Sequence, residues 1–283
     1  MKKKRIVLKP TSGLGNRMRA ISSFIYFKTL IDAELKVVWV PDSGLNCSFQ
    51  EIFQPSTSFD LLPAKFTHHL FTKSKTLLHN KRSVIRRLTK HYNSFLSTLA
   101  GVDCLLFDED VKKGVAHLAE VCADKHSVLV ITGNQCIDYP KGFGSFVPSS
   151  EVSSRIKTAR KQFKETMIGI HIRRSDHDIA IAKSPVYLFE NKIEEHLNAE
   201  EEEFGVFLAT DDPELSTYFQ EKYPDTVITY PKTFGRNSSE GIMDAVLELY
   251  LLAGTKKIYG SYWSSFSGVA KRIYGTELEI LHI

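Results

Sequence analysis

Met167-Ile-Gly-Ile-His-Ile-Arg-Arg-Ser-Asp176 is an apolar run that ends in two adjacent arginines. Ile168, Ile170 and Ile172 alternate as a strand requires, and β-branched residues suit a sheet interior, so the stretch reads as a core strand. In α/β sheets a ligand sits beyond the carboxyl ends of the strands, where Arg173 and Arg174 stand. Each guanidinium is a planar fork of donors that fits a phosphate bidentately, which makes a diphosphate the economical partner. The competing reading has both arginines capping the strand and pairing with surface carboxylates. His171 points away from the face of Ile170 and Ile172, as a hydrogen-bonded core residue or as a ligand contact. Ser175 and Asp176 follow as polar groups able to orient the guanidiniums.

On both sides of this strand the pattern is regular. Helices are predicted over 149–163, 186–197, 213–223, 240–253 and 267–274, with strands over 205–209, 226–229 and 256–260. Such alternation predicts a parallel sheet covered on both faces, a Rossmann-like second half. Upstream, 139–148 is rich in breakers and reads as a linker. It divides the chain into an N-terminal lobe, 1–147, and a C-terminal Rossmann-like lobe, 148–283. In the first lobe, strands are predicted over 5–9, 35–40 and 127–132, with a helix over 16–31 that Asn16 caps.

Further stretches carry chemistry-bearing residues. Gly13 and Gly15 let a backbone approach a ligand at a helix start, where free amides favour an anion. Met18 holds the third glycine position of G-x-G-x-x-G and no Gly-Lys-Ser/Thr follows, so neither familiar phosphate fingerprint is present. Asp211 and Asp212 end a strand before Pro213, where a carboxylate serves as a helix N-cap, accepts the paired N–H groups of a guanine edge or holds a ribose hydroxyl. Ser264 and Ser265, between a strand and a helix, make a second anion cradle. Asp176-His-Asp178 and Asp108-Glu-Asp110 both spell Asp-x-Asp, a pattern that elsewhere holds a divalent cation. Arginines already placed on a diphosphate make that metal redundant, and none is expected.

His171-Ile-Arg-Arg-Ser-Asp176 resembles the His-x-Arg-Arg-x-Asp motif of the α1,6-fucosyltransferase and NodZ group, within a superfamily that takes in α1,2- and protein O-fucosyltransferases. Gly13-Leu-Gly-Asn-Arg17 is similar to the Gly-x-Gly-Asn-x motif that opens their amino-terminal lobe, Ala209-Thr-Asp-Asp-Pro213 to a string in the α1,6 enzymes, and the serine stretch to a third motif. The resemblance implies an α/β, GT-B-like fold of two Rossmann-like lobes whose parallel sheets face a central cleft. It implies an inverting, metal-independent glycosyltransferase that needs no cofactor and uses GDP-fucose as donor, with a glycan or lipid-linked glycan as acceptor. Arg173 becomes the catalytic residue. His171, Arg174, Asp176, Asp211 or Asp212, Ser264, Ser265, Gly13, Gly15, Asn16 and Arg17 become donor contacts, either acid at 211–212 reading the base. His177 departs from the lysine often found there in the α1,6 enzymes, so the linkage does not carry over. The rivals are a nucleotide-sugar-binding protein without turnover and a metal-dependent transferase using Asp176 and Asp178.

The chain has 283 residues, 42% of them hydrophobic and 25% charged, and a formal net charge of +4. That suffices for real cores and is too mild for nucleic acid as the main partner. Cys47, Cys104, Cys122 and Cys136 are widely spaced and read as reduced thiols in a cytoplasm. Basic Met1–Arg5 is followed by an apolar run too short for a signal peptide or membrane span. A helix over 81–99 would carry Lys81, Arg82, Arg86, Arg87 and Lys90 on one side, either a solvated face or a peripheral contact with an anionic cytoplasmic membrane surface. Loop carboxylates Asp42, Asp178 and Glu240 are unranked candidates for general base.

Overall fold

The computed structural model describes residues 3–64, 98, 101–175, 178–199, 203–235 and 237–283. Asp176, His177 and the expected basic helix over 81–99 lie outside the described residues, apart from Thr98. The chain forms two units: Met1–Gly44 with Pro55–Phe146, and Leu45–Gln54 with Val147–Ile283.

In the first unit, β1 (Lys4–Pro10), β2 (Ala33–Val37), β3 (Asp60–Leu61), β4 (Cys104–Phe107) and β5 (Ser127–Thr132) form a sheet of order β3-β2-β1-β5-β4 with every pairing parallel. Val7, Leu105, Leu129 and Ile131 build a core with Val38 and Val40. The helix Leu14–Leu30 packs on β1 and β2, burying Met18, Ile21, Phe24 and Phe27. Its N-cap is Gly13 rather than the expected Asn16, which is already inside the helix. Nor is 139–148 a free linker. Gly142 lies against Ser22, whose hydroxyl donates to the Tyr139 carbonyl (2.5 Å), and Phe143 and Phe146 are buried.

In the second unit, β6 (Thr166–Ile172), β7 (Phe204–Thr210), β8 (Val227–Ile228), β9 (Lys257–Ser261) and β10 (Glu277–Leu281) form a second parallel sheet, β10-β9-β6-β7-β8. From β8 inward this is the unit's third, second, first, fourth and fifth strand, the doubly wound order. Its direction reverses between β6 and β9, and ligands bind outside the carboxyl ends at such a reversal. Ile168, Ile170, Ile172, Val206 and Leu208 pack against Phe189 and Ile193 of the helix Val186–Asn198 and Phe219 of the helix Pro213–Lys222. The other face receives the helix Ser239–Ala253. A Cβ on Gly169 would meet Leu252 Cδ1 at 2.6 Å and Thr255 Oγ1 at 2.8 Å, so glycine sets how closely that helix approaches β6.

The sequence reading places Leu45–Gln54 with the first lobe, but it packs with the second. Phe49, Ile52 and Phe53 are buried, Gln54 N–H donates to the Val147 carbonyl, and Ser239 Oγ donates to Glu51 (2.6 Å). A capping box between Ser48 and Glu51 fixes its short helix, Phe49–Ile52. All four cysteines are free thiols. Among the described residues, no helix is long and apolar enough to cross a membrane.

Candidate active site

The carboxyl ends of β6, β7 and β9 meet at the sheet's reversal point. Strand register sets His171 beside Ala209 on one side and Gly260 on the other. Ser261 Oγ then ties the two strand ends together, accepting from Arg173 N–H (3.0 Å) and donating to the His171 carbonyl (3.3 Å).

Arg173 and Arg174 leave this point in different roles. Arg173 Nη1 lies 2.5 Å from Asp211 Oδ2, and its side chain keeps 16% exposure. Asp211 also accepts from Arg174 N–H (2.7 Å) and from Ser175 Oγ (2.7 Å). Burial pushes the Asp211 carboxyl up, but the Ser175 hydroxyl, the Arg173 charge and the Arg174 amide outweigh it and hold it below its ordinary value. Arg174 does not stand beside Arg173 as the expected second fork. It is buried, donating to its neighbour's carbonyl at Arg173 (3.1 Å) and to the Ser184 carbonyl (2.8 Å). Ser184 Oγ in turn donates to the Leu281 carbonyl (2.5 Å) and accepts from Tyr262 N–H (2.8 Å). Arg174 is therefore a brace joining the ends of β6, β9 and β10. Two adjacent residues of an extended chain face opposite ways, and Ser184 decides which one is buried. Ser175 orients Asp211 rather than a guanidinium.

His171 is buried and stacks on Phe266, with ring centroids 4.9 Å apart. Burial pushes its pKa down to about 3, with Arg173 and Lys232 adding to the effect and Asp211 opposing it, so the ring is neutral. Its Nδ1 has no hydrogen-bond partner among the described residues. Asp212 caps the helix Pro213–Lys222 through Glu214 N–H (2.9 Å) and Leu215 N–H (3.1 Å). Neither acid of 211–212 therefore hangs unengaged.

Sequence reasoning missed the third carboxylate at this end of the sheet. Glu248 is buried in the helix Ser239–Ala253 and meets Lys232 Nζ at 2.6 Å, while that ammonium also donates to the Thr210 carbonyl (2.5 Å). Burial raises the Glu248 pKa to about 7 against the pull of Lys232. The available signal was an acid in the apolar run Val246-Leu-Glu-Leu-Tyr-Leu-Leu252.

Beyond β9, Ser264 caps the helix Ser265–Tyr274 by accepting from Phe266 N–H (3.4 Å). No acid occupies that helix's first turn and Lys271 and Arg272 lie in its last, so its amino end presents unopposed amides to an anion. A Cβ on Gly260 would meet Ser267 Oγ at 2.6 Å, which makes this helix, too, depend on glycine for its seat.

Gly13, Gly15, Asn16 and Arg17 belong to the first unit. Arg17 is buried and locked: it donates to the carbonyls of Ser12 (2.8 Å) and Val40 (2.7 Å), pairs with Asp42 (2.8 Å) and lies over the Trp39 ring. It braces the glycine loop, and the fork expected for a ligand is taken up by the chain. Asp108 accepts from Thr132 Oγ1, Gly133 N–H and Asn134 Nδ2, and Asp110 accepts from Phe107 N–H, so this Asp-x-Asp organises the end of β5. Asp178 opens the helix Asp178–Lys183. Among the described residues, no three His, Cys, Asp or Glu side chains gather as a metal site. A cavity of about 350 Å³ opens near β8, lined by Arg155, Phe163, Phe207, Tyr230 and Leu251 among others, and Arg173, His171 and Asp211 do not line it.

No family model matches the chain, and no curated protein does. Solved structures share its fold at low identity. NodZ α1,6-fucosyltransferase soaked with GDP-fucose is 16% identical, with a TM-score of 0.62 over 96% of this chain and 93% of that one. A mutant of Arabidopsis thaliana FUT1 in complex with GDP is 18% identical, with a TM-score of 0.64 over 98% and 70%. POFUT1 in its apo form is 11% identical, with a TM-score of 0.60 over 100% and 99%. The chain has the two-sheet GT-B fold of these fucosyltransferases.

Proposed function

We propose that the chain is a glycosyltransferase that moves fucose from GDP-fucose to a glycan or glycoconjugate acceptor by an inverting displacement that requires no metal. The observation that carries this reading is the Arg173 guanidinium at the reversal point of a doubly wound sheet, beside the unopposed amino end of the helix Ser265–Tyr274. The shared fold adds weight, since NodZ has been seen with GDP-fucose and the Arabidopsis enzyme with GDP.

Negative charge grows on the β-phosphate as the sugar–phosphate bond breaks. A group that meets that charge more strongly in the transition state than before it accelerates the step. Arg173 is suited to this because Asp211 fixes the direction of its guanidinium, and Ser261 and Arg174 fix the backbone that carries it. The amides at Ser264 and Ser265 add uncharged donors for the same phosphate. Neutral His171 offers a polar edge to the base, and Asp211 or Asp212 supplies a carboxylate acceptor for it.

The test is release of GDP from GDP-fucose in the presence of glycan acceptors, measured with a chelator present. Chelator-resistant release that depends on the acceptor is the expected result. Binding of GDP with no release under any acceptor would identify a binding protein instead.

A further inference from the structure

Trp263 is the most exposed large hydrophobic side chain among the described residues, at 69%, and its backbone is left-handed, with φ at +54°. An isolated exposed apolar residue is ordinary by itself. A bulky residue at positive φ is not, and such strain persists where the surroundings impose it, most often at functional sites. Among the described residues, the other non-glycine positions with positive φ are Ser12, Asp32 and Glu203, all small or polar.

The surroundings that impose it are the site's own. Ser261, two residues earlier, is bonded to Arg173 and His171; Tyr262 N–H donates to Ser184; and Ser264, the next residue, caps the helix Ser265–Tyr274. The Tyr262 ring meets the indole edge-on, with centroids 6.2 Å apart, and itself lies against His282. The chain thus holds a large apolar plane out into solvent, one residue from the proposed phosphate contact, on a mount with little freedom left to lose on binding.

Given the GDP-fucose reading, on which this rests, we propose that Trp263 is the platform for the donor's sugar ring. The ring joined to the β-phosphate presents an apolar C–H face, and a 6-deoxyhexose adds a methyl where a hexose carries a hydroxymethyl. An indole rewards that methyl and gains nothing from the hydroxyl. Trp263 therefore selects for a 6-deoxy sugar on the nucleotide.

The experiment compares dissociation constants for GDP, GDP-fucose and GDP-mannose in the whole protein, in Trp263→Gly, which tolerates the left-handed backbone, and in Trp263→Phe, which keeps a ring. In Trp263→Gly the preference for GDP-fucose over GDP and over GDP-mannose should fall about tenfold, a contact the size of a methyl group and part of a ring face. Trp263→Phe should recover most of it. Tryptophan fluorescence gives a second readout, because the chain has two tryptophans and Trp39 is buried. GDP-fucose should shield the exposed indole from acrylamide more than GDP does. Unchanged preference ratios, or affinities for all three nucleotides falling together, would overturn the platform and leave the donor site standing. Failure of the unmodified protein to bind GDP would overturn the GDP-fucose reading, and the platform with it.

Discussion

Arg173 and Arg174 are neighbours with opposite fates, and substitution should separate them. Arg173→Ala leaves the fold intact and lowers turnover by at least ~100-fold, as loss of one donor to a developing oxyanion does. Arg174→Met leaves the Ser184 carbonyl without its donor and should cost ~1–3 kcal/mol of stability in denaturant titration. His171 carries a pH signature. Its folded pKa, about 3, lies below its ordinary value of 6.5. As pH falls from 6.5 toward 3 the unfolded chain therefore takes up a proton that the folded one refuses. The stability that neutral His171 contributes is present above pH 6.5 and lost across that window, at a slope of ~1 kcal/mol per pH unit. Urea unfolding at stepped pH should show this slope reduced in His171→Phe, which keeps the stack on Phe266. The strand and its arginines were legible because alternation and charge are local. The division of labour between the arginines was not, since it depends on Ser184 and Asp211, distant in sequence.

The helix Ser239–Ala253 joins sequence pattern to site. Its apolar run was readable, but the partner of the one acid within it was not, because Lys232 lies on an irregular segment whose ammonium reaches Glu248 only in the folded unit. Burial raises the Glu248 pKa from 4.5 to about 7, so the stability tied to its protonated form is fully present below pH 4.5 and is lost as pH rises from there to 7. Lys232→Met removes the charge that makes ionisation tolerable there. It should destabilise by ~3–5 kcal/mol at pH 8, as an unpaired buried charge does, and by much less at pH 5, where Glu248 is protonated. Thermal unfolding at the two pH values checks this. Gly169→Ala should cost ~1–3 kcal/mol, because its Cβ would press Leu252 and Thr255 away from β6.

On the scale of the whole molecule, parallel sheets and strand alternation were visible in the sequence. The membership of Leu45–Gln54 was not, since its buried aromatics report burial without saying in which unit. Phe49→Ala should therefore lower hydrogen-exchange protection in Val147–Ile283 more than in β1 and β5, and cost ~3–5 kcal/mol. The short strands β3 and β8 lacked periodic signal for a simpler reason, being two residues each. The second sheet holds the Arg173 guanidinium, braced by Asp211, beyond its strand ends, and the proposal is that a pyrophosphate meets it there. Calorimetric titration of GDP into the unmodified protein and into Arg173→Ala, with chelator present, tests that most directly. The account predicts binding that weakens at least ~100-fold in the variant, the size of a lost charge-assisted contact. Equal affinity in the two proteins would contradict it.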